Sequence, residues 1–124
     1  MPQLETSPFS PDVSTHNAII ALCDVSKTYV AEGRTVHALR GVHLEVARGE
    51  FFVIVGRSGC GKSTLLNLLG GIDKPSGGEV LVNGQNVVQM NEAQLTQYRR
   101  ATVGIVFQFF NLMPLLTVLE NTLL

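Results

Sequence analysis

The chain has 124 residues, enough for one ordinary domain or for part of a larger one. Its hydrophobic content of 45% supports a packed core and excludes general disorder. A net charge of −1, with the basic residues scattered, gives no electrostatic case for a nucleic-acid partner. No apolar run approaches about eighteen residues, so no spanning helix is expected, and the N-terminus lacks the basic-then-apolar order of a secretion signal. Cys23 and Cys60 show no disulfide or metal spacing, which favours a reduced, intracellular setting.

Taken in order, residues 1–17 hold Pro2, Pro8 and Pro11 among small polar groups and are predicted to be a disordered tail ahead of one domain at 18–124. Strand character begins at Ala18–Leu22 and continues through Val25 to Tyr29-Val30, a buried strand on which Cys23 is expected to be inert. Ala31 to Thr35 reads as a turn around Gly33. Val36–Leu39 and Val42–Val46 form a second strand region. In the latter, Val42, Leu44 and Val46 alternate with His43 and Glu45, the period of a half-buried antiparallel strand.

Phe51–Val55 is an apolar, aromatic and β-branched run, predicted as a buried parallel strand. Gly56-Arg57-Ser58-Gly59-Cys60-Gly61-Lys62-Ser63-Thr64 follows, and it fits G-x-x-x-x-G-K-[ST] at every fixed position. Leu65, Leu68 and Leu69 then give a helical apolar pattern. Each part of this strand, loop and helix has a physical reason. The glycines allow a tight turn that presents backbone N–H groups to an anion. The helix start adds unsatisfied N–H groups and the positive end of the helix dipole. Lys62 reaches for the β- and γ-phosphates, and the Ser63 hydroxyl is a ligand for Mg²⁺. Cys60, beside Lys62 and ahead of a helix, is the thiol in the more activating setting.

Gly70-Gly71 stops the helix, and Pro75–Gly78 marks a loop. Glu79–Val82 is a short strand, Asn83-Gly84 a tight turn, and Gln85–Val88 the return. Asn91 caps a helix from Glu92 to Arg100, with the acid in the first turn and the arginines in the last. Val103–Phe107 is the second buried-strand candidate, followed directly by Gln108. Thr117 caps a final helix over Val118–Leu124.

Four of these segments, in this order, resemble the ATP-binding subunit of ABC transporters, nearest to the branch exporting lipoproteins or macrolides. Val25–Tyr29 is similar to the family's entry strand, whose aromatic stacks on adenine. Gly56–Ser63 matches the Walker A motif. Leu69–Glu79 resembles the segment that leads to the later strands of the first subdomain. Val106-Phe107-Gln108 with Asn111-Leu112 resembles the Q-loop. The resemblance implies an α/β fold: a P-loop core with a mainly parallel sheet and an N-terminal antiparallel β subdomain. It implies binding of ATP with Mg²⁺, and ATP hydrolysis in the complete domain. Tyr29 would stack on adenine, Gly56 and Ser58 to Thr64 would hold the phosphates, and Ser63 and Gln108 would serve the metal. Lys62 and Gln108 would be the catalytic residues. It also implies a transmembrane permease subunit and a second ATP-binding subunit as partners, and a cytoplasmic position on the inner face of the cell membrane.

The family's Leu-Ser-Gly-Gly-Gln, its apolar strand ending in Asp-Glu and its switch histidine have no counterpart in these 124 residues. Leu115–Glu120 ends in an acid but lacks the Asp and scans as a capped helix. The sequence therefore resembles the first part of such a domain, expected to bind ATP without efficient turnover. Two other readings stay open: a different P-loop kinase or GTPase, and a non-catalytic nucleotide-binding remnant. Tyr29 as an ordinary strand aromatic and Gln108 as a plain loop residue belong with them.

Overall fold

A computed structural model describes residues 17–124. The tail expected over 1–17 lies outside the described residues except for Asn17, whose carbonyl accepts a hydrogen bond from Arg48 N–H. Strands β1 (Ala18–Ala31) and β2 (Arg34–Ala47) form a long hairpin closed by Glu32-Gly33. Both turn residues have positive φ, 49° and 75°, the geometry that suits the twist of a tight hairpin. Strand β3 (Gly77–Val82) pairs antiparallel with the other edge of β1, and the two-residue β4 (Gln85–Asn86) pairs with β3. The sheet order is β2-β1-β3-β4.

The hairpin is irregular at several points, and the irregularities do structural work. Leu22 faces Leu44 and Val25 faces Val42, so β1 carries one extra residue between these pairs. That bulge puts both Leu22 and Val25 into the core and turns Cys23 and Asp24 outward. Cys23 is therefore exposed, against the expectation of a buried thiol: alternation cannot count through a bulge. Gly78 of β3 crosses at the same place. Its φ is +85°, and a Cβ there would collide with the Asp24 carbonyl oxygen, so only glycine lets the strands approach. A second bulge lies on β2. Lys27 pairs with Leu39 and Thr28 with His37, which leaves Ala38 without a cross-strand partner.

Helix α1 (Lys62–Leu69) packs Leu65 and Leu68 on this sheet. The core joins them to Leu22, Val25, Leu39, Val80 and Val82. Burying a leucine as completely as Leu68 contributes about 1.5–3 kcal/mol. The helix ends as predicted at Gly70-Gly71. Gly71 N–H donates to Leu68 O and Ile72 N–H to Asn67 O, the paired bonds of a Schellman stop.

Helix α2 (Glu92–Ala101) opens with a capping box between Asn91 and Gln94 and adds Leu95 and Tyr98 to the core. The return after Asn83-Gly84 is shorter than expected. Only Gln85-Asn86 pairs, because the Asn86 side chain accepts from Val88 N–H and coils Val87–Gln89 into a 3₁₀ turn that buries Val87. Helix α3 (Val118–Leu123) has its own capping box, Thr117 with Glu120. The Thr117 backbone N–H and hydroxyl both donate to the Glu120 carboxylate and hold it below its usual pKa. Asn121 ties the preceding loop to α3, accepting from Met113 N–H and donating to the carbonyls of Leu116 and Thr117.

Phe51–Val55 and Val103–Phe107, expected as buried parallel strands, have no ladder partner among the described residues. Ile54 and Val103 pack against the core, while Phe51, Val55 and Val106 stand exposed. A parallel strand needs neighbours and cover on both faces. Here α1 and the antiparallel sheet cover one side only. The antiparallel subdomain and α1 are thus the complete part of the described architecture.

Candidate functional site: a phosphate loop seated on a bulge

Residues 56–61 connect the exposed end of Val55 to the first turn of α1. Gly61 is the N-cap residue, with φ 101° and no side chain to cap the helix, and the first turn contains no acid. The opening N–H groups and the positive end of the dipole are therefore not satisfied by the protein's own side chains, the condition for an anion site at a helix start. Gly61 is fixed from a second direction as well. A Cβ on it would lie 2.6 Å from the Ala38 carbonyl oxygen and 3.0 Å from Leu39 Cδ2. Ala38 is the unpaired residue of the β2 bulge, so the bulge brings strand backbone directly against the loop.

The Lys62 side chain folds over the loop. Its Nζ donates to Gly56 O at 2.8 Å and to Arg57 O at 2.7 Å, and lies 3.4 Å from Cys60 Sγ. The ammonium is thus held against the start of the loop by two backbone carbonyls. Cys60 Sγ packs against Gly56, where a Cβ would be only 2.5 Å away. The Cys60 side chain is part of the loop's inner packing and is half-buried. Ser63 is exposed and its hydroxyl makes no hydrogen bond among the described residues, so it is available to a cation; Ser58 and Gly59 are also exposed.

Tyr29 lies on β1 opposite Val36, two residues along β2 from Ala38. It is 38% exposed and is tied down at its tip: the hydroxyl donates to Asp73 Oδ2 at 2.9 Å. Lys27, on the same face of the strand, places Nζ 4.9 Å from the centre of the Tyr29 ring. The same ammonium pairs with Asp73 Oδ1 at 2.7 Å and reaches Lys74 O at 2.6 Å. Partial burial pulls the Asp73 pKa upward. Hydrogen bonds from Lys27, the Lys74 N–H and Tyr29, with the Lys27 charge, outweigh it and leave the carboxylate below its usual value. Sequence reading missed Lys27 and Asp73. The available signal was the i, i+2 spacing of Lys27 and Tyr29, which puts both on one strand face.

Gln108 is exposed at a bend after Val103–Phe107 and makes no hydrogen bond to the loop. The segment leading to it touches α1 through Ile105, whose Cδ1 lies 3.0 Å from where a Gly70 Cβ would be. Gly56–Thr64 thus form one continuous loop and helix start, Tyr29 lies on the adjoining hairpin, and Gln108 makes no hydrogen bond to the loop.

A glycine-built turn, an uncapped helix start and a lysine folded over the turn make up the phosphate loop of the nucleotide-binding P-loop class. Within that class, residues 39–123 match the ABC transporter family, and the chain belongs to it. An ABC transporter ATP-binding protein of Thermotoga maritima is 48% identical over 103 residues, 83% of this chain and 44% of the relative. The lipoprotein-releasing system ATP-binding protein LolD of Myxococcus xanthus is 43% identical over 84% of this chain and 46% of its own length. Among solved structures, the ATP-binding cassette MJ0796, in a dimeric post-hydrolysis state bound to ADP and Pi, superposes with a TM-score of 0.77 at 46% identity. That likeness covers 82% of this chain and 44% of the cassette. The chain therefore spans a little under half the length of these relatives. No helix among the described residues is long and apolar enough to cross a membrane.

Proposed function

We propose that this chain binds Mg-ATP as the phosphate-binding part of an ABC transporter's nucleotide-binding subunit. The observation that carries the reading is the loop itself: Gly61 at φ 101° opening an uncapped helix, with Lys62 Nζ folded onto the carbonyls of Gly56 and Arg57. Gly56 and Ser58 to Thr64 hold the phosphates through backbone N–H groups, and Lys62 turns from the carbonyls to the β- and γ-oxygens. Tyr29 offers its ring to adenine. The Ser63 hydroxyl fits one ligand position of Mg²⁺, and Gln108, which makes no bond to the loop here, would serve as a second ligand or orient water. When bound, the metal neutralises charge building on the phosphate oxygens.

Hydrolysis, a second ATP-binding subunit and a membrane permease belong to the proposal by family membership, supported by relatives such as LolD and the dimeric cassette MJ0796. On this reading the protein sits at the cytoplasmic face of a membrane and powers movement of a substrate. These 124 residues contain no Leu-Ser-Gly-Gly-Gln and no Asp-Glu strand. By themselves they cradle phosphate without positioning water, so turnover by them alone is slow.

Displacement of a fluorescent ATP analogue by ATP, GTP and inorganic tripolyphosphate, with and without Mg²⁺, tests this reading. ATP with Mg²⁺ is expected to compete best. A preference for GTP of tenfold or more, about 1.4 kcal/mol, would move the chain to another P-loop class.

A further inference from the structure

Lys27, Tyr29 and Asp73 form a cluster that the phosphate loop does not use. Asp73 lies just beyond the stop of α1, and its own N–H donates to Asn67 O of that helix at 3.3 Å. One carboxylate oxygen takes the Tyr29 hydroxyl and the other takes Lys27 Nζ. The Tyr29 ring is thereby held at its tip, and one face is covered by the Lys27 ammonium at 4.9 Å. A flat base has only the other face to stack on. Without these contacts a strand tyrosine that is 38% exposed keeps rotamer freedom, and stacking must then supply the cost of ordering it.

We infer that Asp73 is a positioning residue for base recognition: it fixes the Tyr29 ring, through the phenolic hydroxyl, in the orientation that receives adenine. The inference rests on the proposed stacking role of Tyr29. It also gives the C-terminal end of α1 a task. One helix presents phosphate-binding groups at its start, and the turn at its end holds the aromatic that reads the base. Both parts of the nucleotide are then met by one rigid unit. The hydrogen bonds of Asp73 go to Tyr29, Lys27, Lys74 and Asn67, none of them in the loop 56–61, so the expected effect is on base binding.

The test is calorimetric titration of the full chain and its variants with Mg-ATP and with Mg-tripolyphosphate, which has phosphates and no base. Tyr29→Ala is expected to weaken ATP by at least about fivefold, the scale of losing one base–aromatic stack. Tyr29→Phe removes the hydroxyl–carboxylate bond alone, whereas Asp73→Ala removes it together with the contacts from Lys27 Nζ and the Lys74 N–H. Each is expected to weaken ATP about threefold and to leave tripolyphosphate unchanged, and the double variant is expected to lose no more than either single one. Asp73→Asn has one acceptor oxygen for two donors, the Tyr29 hydroxyl and Lys27 Nζ, and is expected to fall between the parent and Asp73→Ala. Should Asp73→Ala fail to fold, Asp73→Asn and Tyr29→Phe carry the comparison.

Unchanged ATP affinity in Asp73→Ala, with Tyr29→Ala weakened, overturns the positioning role and leaves the stacking intact. Equal losses for ATP and tripolyphosphate in Asp73→Ala, or additive losses in the double variant, overturn it as well, since they mark a general structural role. Unchanged ATP affinity in Tyr29→Ala removes the stacking itself, and the inference with it.

Discussion

Gly61 bears two independent demands. Its φ of 101° lies where side chains are strained, and the carbonyl of the bulged Ala38 occupies the space a Cβ would need. Gly61→Ala therefore cannot be absorbed by a local rotation, because relieving the contact means pulling β2 from the loop. The expected cost is about 1–3 kcal/mol of folding stability together with loss of nucleotide affinity. Urea unfolding and an ATP titration of the same variant check both; stability equal to the parent would contradict the seating of the loop on the bulge. The glycine spacing was legible in the sequence because the loop is a local structure. The Ala38 contact was not, because it depends on which residue a cross-strand register leaves unpaired. Nor was the bond from Tyr29 to Asp73, which are 44 residues apart.

At the scale of elements, α1 is held at its end by α2. The Tyr98 hydroxyl donates to Leu69 O, and Arg99 Nη1 donates to Gly71 O at 2.7 Å. Carbonyls that the helix leaves orphaned are thus met by a hydroxyl and by a cation suited to the negative end of the dipole. Removing one such bond, as in Tyr98→Phe, costs about 1 kcal/mol. Burial also pushes the Tyr98 phenol up to about 12. The unfolded chain releases this proton near pH 10 while the folded chain retains it. The stabilisation is therefore complete below about pH 10 and is lost as pH rises toward and through about 12. Urea midpoints measured across this range should fall more steeply for the parent than for Tyr98→Phe. Parallel curves would show that the hydroxyl is not held as described. The helix boundaries and caps were legible from Asn91, Thr117 and Gly70-Gly71, whose signals act within a few residues. The docking of α2 on α1 joins positions 28 and 29 apart, which no local pattern encodes.

The whole molecule is uneven in its completeness. The antiparallel sheet, α1 and α2 share one core, whereas Phe51, Val55, Val106, Phe110 and Leu115 stand exposed. The apolar pattern of Phe51–Val55 leads to the expectation of a strand buried on both faces, but a pattern does not supply the neighbours, and the segment is unpaired among the described residues and mostly exposed. The chain spans 44% of the Thermotoga relative and of the MJ0796 cassette. The central claim is that the phosphate loop, and Lys62 within it, binds the phosphates of ATP. Calorimetric titration of Mg-ATP into the parent chain and into Lys62→Ala tests it most directly. Measurable binding to the parent and at least a tenfold loss, about 1.4 kcal/mol, in Lys62→Ala are expected. Equal affinity in the two proteins would contradict it.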